Sequence, residues 1–368
     1  MSIHVPPHVR VLAMDVHAHT ISTGLLEPSS DSPLMDKVSA DDESVRRLIA
    51  RFEDPRGVWA CYEAGPTGYE LARALRSAGI HCEVIAPSLT PTRPGDRVKT
   101  DRRDARRLAL LFRAGQLSSV RAPTPAEEAV RDLCRARADM VIDRTRARHR
   151  LGKFLLRHGR VWRGGDNWTL RHEAWIRAQR FEERALNETL AHYQATLDAR
   201  EAAVDAIDAD LAQWCVRAPF ADAVARLADY RGLTELGGLT LAGEVCDRRR
   251  FPAAAMFMAF TGLAPSEDSS GERTRRGGVT RAGNGHLRAQ LVESAWAYRA
   301  KAQVGAVLRR RQEGLDPAVV ARAWAAQLRL CGKFRRLDAR KGNRKAVGRR
   351  RGPRTRRVRL GRDDRLGR

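Results

Sequence analysis

No Cys-x-x-Cys pair occurs in the chain, and its six cysteines (Cys61, Cys82, Cys134, Cys215, Cys246 and Cys331) are widely scattered. That spacing argues against a zinc ribbon and against a disulfide framework, so the thiols are expected as small core residues in a reducing cytoplasm. Also missing is any apolar run approaching the roughly 18 residues of a membrane span. The N-terminus has no basic segment leading into an apolar core, so the expectation is a soluble cytoplasmic protein with no membrane partner. Acidic charge is the scarcer sign, with 44 Asp and Glu against 68 Lys and Arg and a net charge of +24. Most of the basic residues are arginines, which suit bidentate phosphate contact, so nucleic acid is the leading partner. Residues 341–368 hold 13 basic and 2 acidic groups, yet the rest of the chain keeps +13 without them.

What is present begins with the stretch from Val98 to Leu111. Leu108, Leu111 and Phe112 recur at helical spacing, which sets Asp101 and Asp104 three residues apart on one face near a helix start. Acids there complement the helix dipole, which is the plain reading. Arg102, Arg103, Arg106 and Arg107 surround them, however, and carboxylates for a metal among arginines for a polyanion suit phosphodiester chemistry. Upstream, residues 9–26 read as two short strands around a turn, with Asp15 inside the first. An acid there either caps a turn or holds a metal. His17 and His19 are possible ligands, with solvent-facing histidines the expectation. Residues 57–68 read as a strand ending in Glu63 and a glycine-rich turn into helix Tyr69–Ala78, and residues 81–87 read as a further buried strand. The order β-β-α-β-α-β-α describes a mixed α/β domain. Asp15, Glu63, Asp101 and Asp104 then have the layout of an RNase H-like nuclease core, in which such carboxylates hold two Mg²⁺.

From Pro125 the pattern turns helical. Val130, Leu133, Met140, Ala147, Leu151 and Phe154 mark one long helix; Leu186, Leu190, Tyr193, Leu197, Val204, Ile207, Leu211 and Trp214 mark a second over about four heptads. These helices pair either within the chain or between subunits. The loop Trp162–Trp168 between them carries two tryptophans and no assignable chemistry. Residues 227–245 read as helix, glycine turn and helix, a weak signal for phosphate contact at a helix start. After a helix at Phe257–Leu263 comes a long polar loop, residues 264–288, with five glycines and five arginines, giving way to the helix Leu287–Tyr298. Loops of that length are usually functional, either binding phosphate or presenting a serine to a phosphodiester.

Taken together, Met14-Asp15-Val16, Tyr62-Glu63-Ala64-Gly65-Pro66-Thr67-Gly68, Lys99-Thr100-Asp101-Arg102-Arg103-Asp104-Ala105, Gly262 through Gly271 and Gly283 through Arg288 resemble the DEDD-type bacterial insertion-sequence transposases that act as bridge-RNA-guided serine recombinases. The resemblance implies a RuvC-like (RNase H-fold) mixed-sheet domain over 1–122, a helical coiled-coil connector over 123–218, and a small helical transposase domain with a serine loop over 219–335. An Arg-rich tail over 336–368 departs from the family, as a frameshifted end or a disordered basic tail would. It further implies that Asp15, Glu63, Asp101 and Asp104 bind Mg²⁺, with Mn²⁺ able to substitute, while Ser270 becomes covalently linked to DNA; Ser269 beside it leaves a one-residue ambiguity. Expected nucleic-acid contacts are Arg102, Arg103, Arg106, Arg107, Arg273, Arg275, Arg276 and Asn284. Expected partners are DNA (the element's ends and target), a non-coding guide RNA, and further copies of the chain in a dimer or tetramer, where the serine domain of one subunit completes the carboxylate site of another. The alternatives are a RuvC-type junction nuclease using activated water, or an inactive nucleic-acid binder.

Overall fold

The computed structural model describes residues 3–91, 100–270 and 273–341. Contacts divide the chain into two units, Met1–Thr124 and Pro125–Arg368. In the first lie β1 (Arg10–Val16), β2 (Thr20–Leu26), β3 (Leu34–Ser39), α1 (Asp42–Ala50), β4 (Val58–Glu63), α2 (Glu70–Ser77), β5 (His81–Ile85), α3 (Asp101–Arg113) and β6 (Ser119–Val120). They build one six-stranded mixed sheet in the order β3-β2-β1-β4-β5-β6. β1 runs antiparallel to β2 and parallel to β4, and β4 runs parallel to β5.

Side-chain alternation divides the sheet's two faces cleanly. Leu12, Met14, Ala60 and Tyr62 pack into one core with α1 and α2 residues, whereas Val11, Ala13, Cys61 and Ile85 pack into a second with Leu108, Ala109 and Phe112 of α3. α3 comes close to β2 at Gly24, where an added Cβ would stand 3.3 Å from the Ala105 carbonyl. A side chain there would press on the start of α3, which carries Asp101 and Asp104, by a few tenths of an ångström.

The second unit holds α4 (Pro125–Arg157), α5 (Leu170–Arg177), α6 (Arg184–Cys215), α7 (Ala221–Ala228), α8 (Glu235–Val245), α9 (Ala254–Phe260), β7 (Pro265–Ser270), β8 (Arg273–Val279), α10 (Gly285–Trp296), α11 (Ala306–Gln312) and α12 (Pro317–Lys341). The long helices α4 and α6 pair within the chain, sharing two apolar clusters and the ion pairs Arg137–Asp208 and Arg148–Glu201. Gly237 and Gly238 in the first turn of α8 are buried against Gln290 and Val224, so these glycines serve helix packing rather than phosphate contact. Residues 264–280, read from sequence as loop, largely form the two-stranded hairpin β7–β8. The charged tail begins inside α12, which continues to Lys341; residues 342–368 lie outside the described residues. None of the six cysteines forms a disulfide, and five are buried. No helix among the described residues is long and apolar enough to cross a membrane.

Candidate active site

The first unit brings carboxylates together where β1 ends beside the start of α3. Asp15 is half-buried at the C-terminal end of β1. Asp101 is the first residue of α3, behind the cap Thr100, whose side chain accepts from the Arg103 N–H. His17 joins them: its Nε2 lies 3.3 Å from Asp15 Oδ2 and 3.4 Å from Asp101 Oδ1. One ligand atom from each of Asp15, His17 and Asp101 falls within a 4.8 Å span, a spacing suited to a single metal ion. Burial holds the Asp15 carboxyl above the usual range, and the negative charges of Asp101 and Asp104 add to that rise while His17 opposes it. Repulsion that raises a carboxyl pKa is what a bound cation would relieve, so the donor set fits a divalent metal.

Glu63 ends β4, one rung beyond the Met14–Tyr62 pair, on the sheet face that carries Ala13, Cys61 and, by alternation, Asp15. It is exposed, and Thr90 Oγ1 donates to its Oε1 over 2.9 Å. Glu63 is thus a strand-end neighbour of Asp15 and stands outside the three-residue cluster. Arg102, Arg103 and Arg106 are exposed and Arg107 is half-buried on α3. A groove of about 670 Å³ opens beside Asp101, lined by Ser22, Lys37, Thr100 and Arg102 among others. Strand register accounts for Lys37: Asp15 pairs with Ser22 of β2, and Ser22 pairs with Lys37 of β3, so the three form one row across the sheet. Lys37 Nζ ends 4.0 Å from Asp101 Oδ2.

His17, expected toward solvent, and Lys37, for which there is no expectation, both stand at this cluster. His17 follows Asp15 by two residues, just past the end of β1, and that spacing is the available signal. Lys37 has none, because its row is set by pairing across two strands.

In the second unit, Ser270 is the last residue of β7, exposed and paired in register with Arg273, while Asp268 pairs with Arg275. Directly opposed residues share a face, so Arg273 and Arg275 lie on the Ser270 side of the hairpin. The Arg276 side chain and Gly271 lie outside the described residues. Ser269 Oγ donates to Glu267 Oε1 over 3.1 Å; among the described residues the Ser270 hydroxyl has no hydrogen-bond partner. The hairpin is pinned at its base, where the Thr280 N–H donates to the Ala264 carbonyl, Arg281 to Gly262 and Asn284 to Phe260. Gly262 adopts φ +61°, and an added Cβ would stand 2.3 Å from the Ala282 carbonyl. Asn284 caps α10 through its Oδ1, and its Nδ2 donates to Glu244 Oε2 over 2.6 Å. Glu244 is almost wholly buried and takes two further bonds from Arg135, at 2.7 and 2.9 Å. Burial alone would raise its carboxyl, yet the bonds from Arg135 and Asn284 hold it below the usual range.

Residues 12–159 match the DEDD transposase family of IS110 type, described as Transposase, and residues 224–309 match the one described as Transposase IS116/IS110/IS902 family. A Sinorhizobium fredii protein named as transposase y4qE is 41% identical over 308 residues, covering 83% of this chain and 75% of that protein. The transposase for insertion sequence element IS1533 of Leptospira borgpetersenii is 31% identical over 333 residues, covering 89% of this chain and 96% of its own. The chain belongs to the IS110 family of transposases. As a transposase for an insertion sequence it acts on DNA, and the DEDD type points to a divalent metal. Both matched segments contain a site described above: the first spans Asp15, Glu63, Asp101 and Asp104, and the second spans Glu244, Ser270 and Asn284.

Proposed function

We propose that this transposase cuts and rejoins DNA strands for its own element with a Mg²⁺ carboxylate site and a serine nucleophile, directed by a non-coding guide RNA. The observation that carries the proposal is the convergence of Asp15 and Asp101, with Asp104 close enough to raise the Asp15 carboxyl, at the edge of a groove that Lys37 and Arg102 also line. Carboxylates at neighbouring ends of β1 and β4 and on α3 fit the RuvC-like layout. Asp15, Asp101, Asp104 and the neighbouring Glu63 would hold Mg²⁺, or Mn²⁺ in its place. Bound there, the cation supplies positive charge that lowers the proton affinity of an attacking oxygen and stabilises charge on phosphate oxygens. Lys37 and Arg102 line the groove and meet the DNA backbone.

Ser270 is the nucleophile. Its place favours it over Ser269, because Ser270 pairs in register with Arg273 whereas Ser269 pairs with Thr274. A bond forms between Ser270 Oγ and phosphorus as the bond from phosphorus to one strand-end oxygen breaks. The serine proton departs, and the released oxygen leaves as a hydroxyl; rejoining runs the step backwards with the new strand's hydroxyl. Arg273 and Arg275, on the serine's side of the hairpin, neutralise the phosphorus oxygens, each removal costing roughly 10²–10³ in rate by analogy with oxyanion donors. Arg276 and Asn284 complete the expected contacts, Asn284 by fixing the hairpin base. The serine and the carboxylates act on one phosphodiester in an oligomer, supplied by different subunits.

The test is the double variant Asp101→Asn/Asp104→Asn. Mg²⁺ should raise the melting temperature of the wild type and leave that of the folded variant unmoved, and the variant should lose strand transfer. Full DNA-joining activity in the variant would place the site elsewhere.

A further inference from the structure

The end of the helical pair carries an aromatic cluster that the reaction above does not use. Trp162 and Trp168 in the loop after α4 and Trp175 of α5 surround His172, with ring centroids 5.2 to 5.7 Å from the histidine. The loop is tightly built: the Trp168 N–H donates to His172 Nδ1 over 2.9 Å, and Trp168 is held at φ +61°, a left-handed conformation that a bulky side chain rarely adopts. All three tryptophans are only half-buried, and Leu170 beside them is 87% exposed.

Charge along this stretch is mostly positive. Residues 144–180 contain eleven basic and two acidic residues. Some of that charge is neutralised, since Arg148 pairs with Glu201 and Arg177 with Asp198. Arg157, Arg160 and Arg171 instead stand over the rings of Phe154, Phe181 and Trp162 at 5.9, 5.3 and 6.0 Å. Neither these three nor the exposed Arg163 has a carboxylate partner among the described residues.

We infer that this end is a platform for an unpaired nucleotide strand, with bases stacking on the exposed parts of the tryptophans and phosphates meeting Arg157, Arg160, Arg163 and Arg171. Partly exposed indoles among unpaired arginines are the combination by which proteins hold single strands, because every base has a face to stack and every link a charge to meet. Uncompensated positive charge disfavours a second copy of the same end as the occupant, since like charges would be brought together. The inference rests on the reading that the protein works with DNA and a guide RNA, and it assigns the single-stranded part to this surface. The source of the strand is an RNA loop or a melted DNA strand, which share this chemistry.

The experiment uses the full chain with fluorescent 12-nucleotide single strands of RNA and of DNA and with a DNA duplex, read by polarisation across a salt series. Wild type should bind single strands with quenching of tryptophan fluorescence, and the better-bound of RNA and DNA identifies the source. Trp162→Ala should weaken single-strand binding by about tenfold, whereas Trp162→Phe should keep most of it. Arg163→Gln/Arg171→Gln, both on exposed side chains, should lower the salt slope by about two phosphate contacts. Single-strand affinity and slope equal to wild type in both the tryptophan and the arginine variants would overturn the assignment, as would sedimentation showing that they dissociate an oligomer without touching strand binding. Formation of a covalent DNA adduct by the same preparation reports separately on the serine mechanism, so failure of one reading is distinguishable from failure of the other.

Discussion

Asp15 is raised first by burial and then by the charges of Asp101 and Asp104, so its ionised form is a burden on the metal-free fold. A folded-state pKa above the unfolded one means that stability is lost as pH rises through the folded value and is regained below the unfolded value, near 3.9. Replacing the acid with its neutral isostere should remove the burden. Asp15→Asn is expected to melt above the wild type without metal, by roughly 2–4 °C for each kcal/mol of repulsion relieved, and to gain nothing from Mg²⁺. Differential scanning fluorimetry with and without the cation checks both, and a variant that melts below the metal-free wild type would contradict the repulsion. Legibility at this scale follows distance along the chain. Asp101 and Asp104 declared themselves through helical spacing, and Asp15 through being polar within an apolar strand. Lys37 could not be read, because its place beside Asp101 depends on the pairing of β1 with β2 and β2 with β3.

Among the elements, those with a regular apolar period were legible, including α4, α6, α10 and the parallel strands β4 and β5. β3 escaped because it is an edge strand with no fully buried residue and so no alternation to read. The serine hairpin escaped for a stronger form of the same reason: every residue of β7 is exposed, which reads as loop. What holds that hairpin is its base, where Glu244 joins Arg135 of α4 to Asn284 at the start of α10. Glu244→Ala removes the carboxylate that Arg135 and Asn284 share and should destabilise the second unit by about 1–3 kcal/mol, the range for lost charge-assisted hydrogen bonds, since Arg135 keeps access to water. Chemical denaturation measures this, and a loss under about 1 kcal/mol would mean the network does not clamp the hairpin. Because the Glu244 pKa is lowered in the fold, its contribution is present at neutral pH and is lost as acid drives pH down through the folded value.

For the whole molecule, the excess of arginine is the property that was plainest from sequence, and the transposase family gives it a substrate. Protein purified at modest salt should carry a discrete structured RNA, and its affinity should fall steeply as salt rises because neutralised phosphates release counterions. Random fragments with no enrichment for the element's own ends would count against a guide. The central claim, that a serine links this protein to DNA, is tested most directly by a denaturing gel of end-labelled target DNA incubated with protein, guide RNA and Mg²⁺. The account predicts a covalent protein–DNA species whose peptide map ends on Ser270, abolished in Ser270→Ala and only reduced in Ser269→Ala. An adduct that persists in Ser270→Ala, or clean nicks with no adduct, would contradict it.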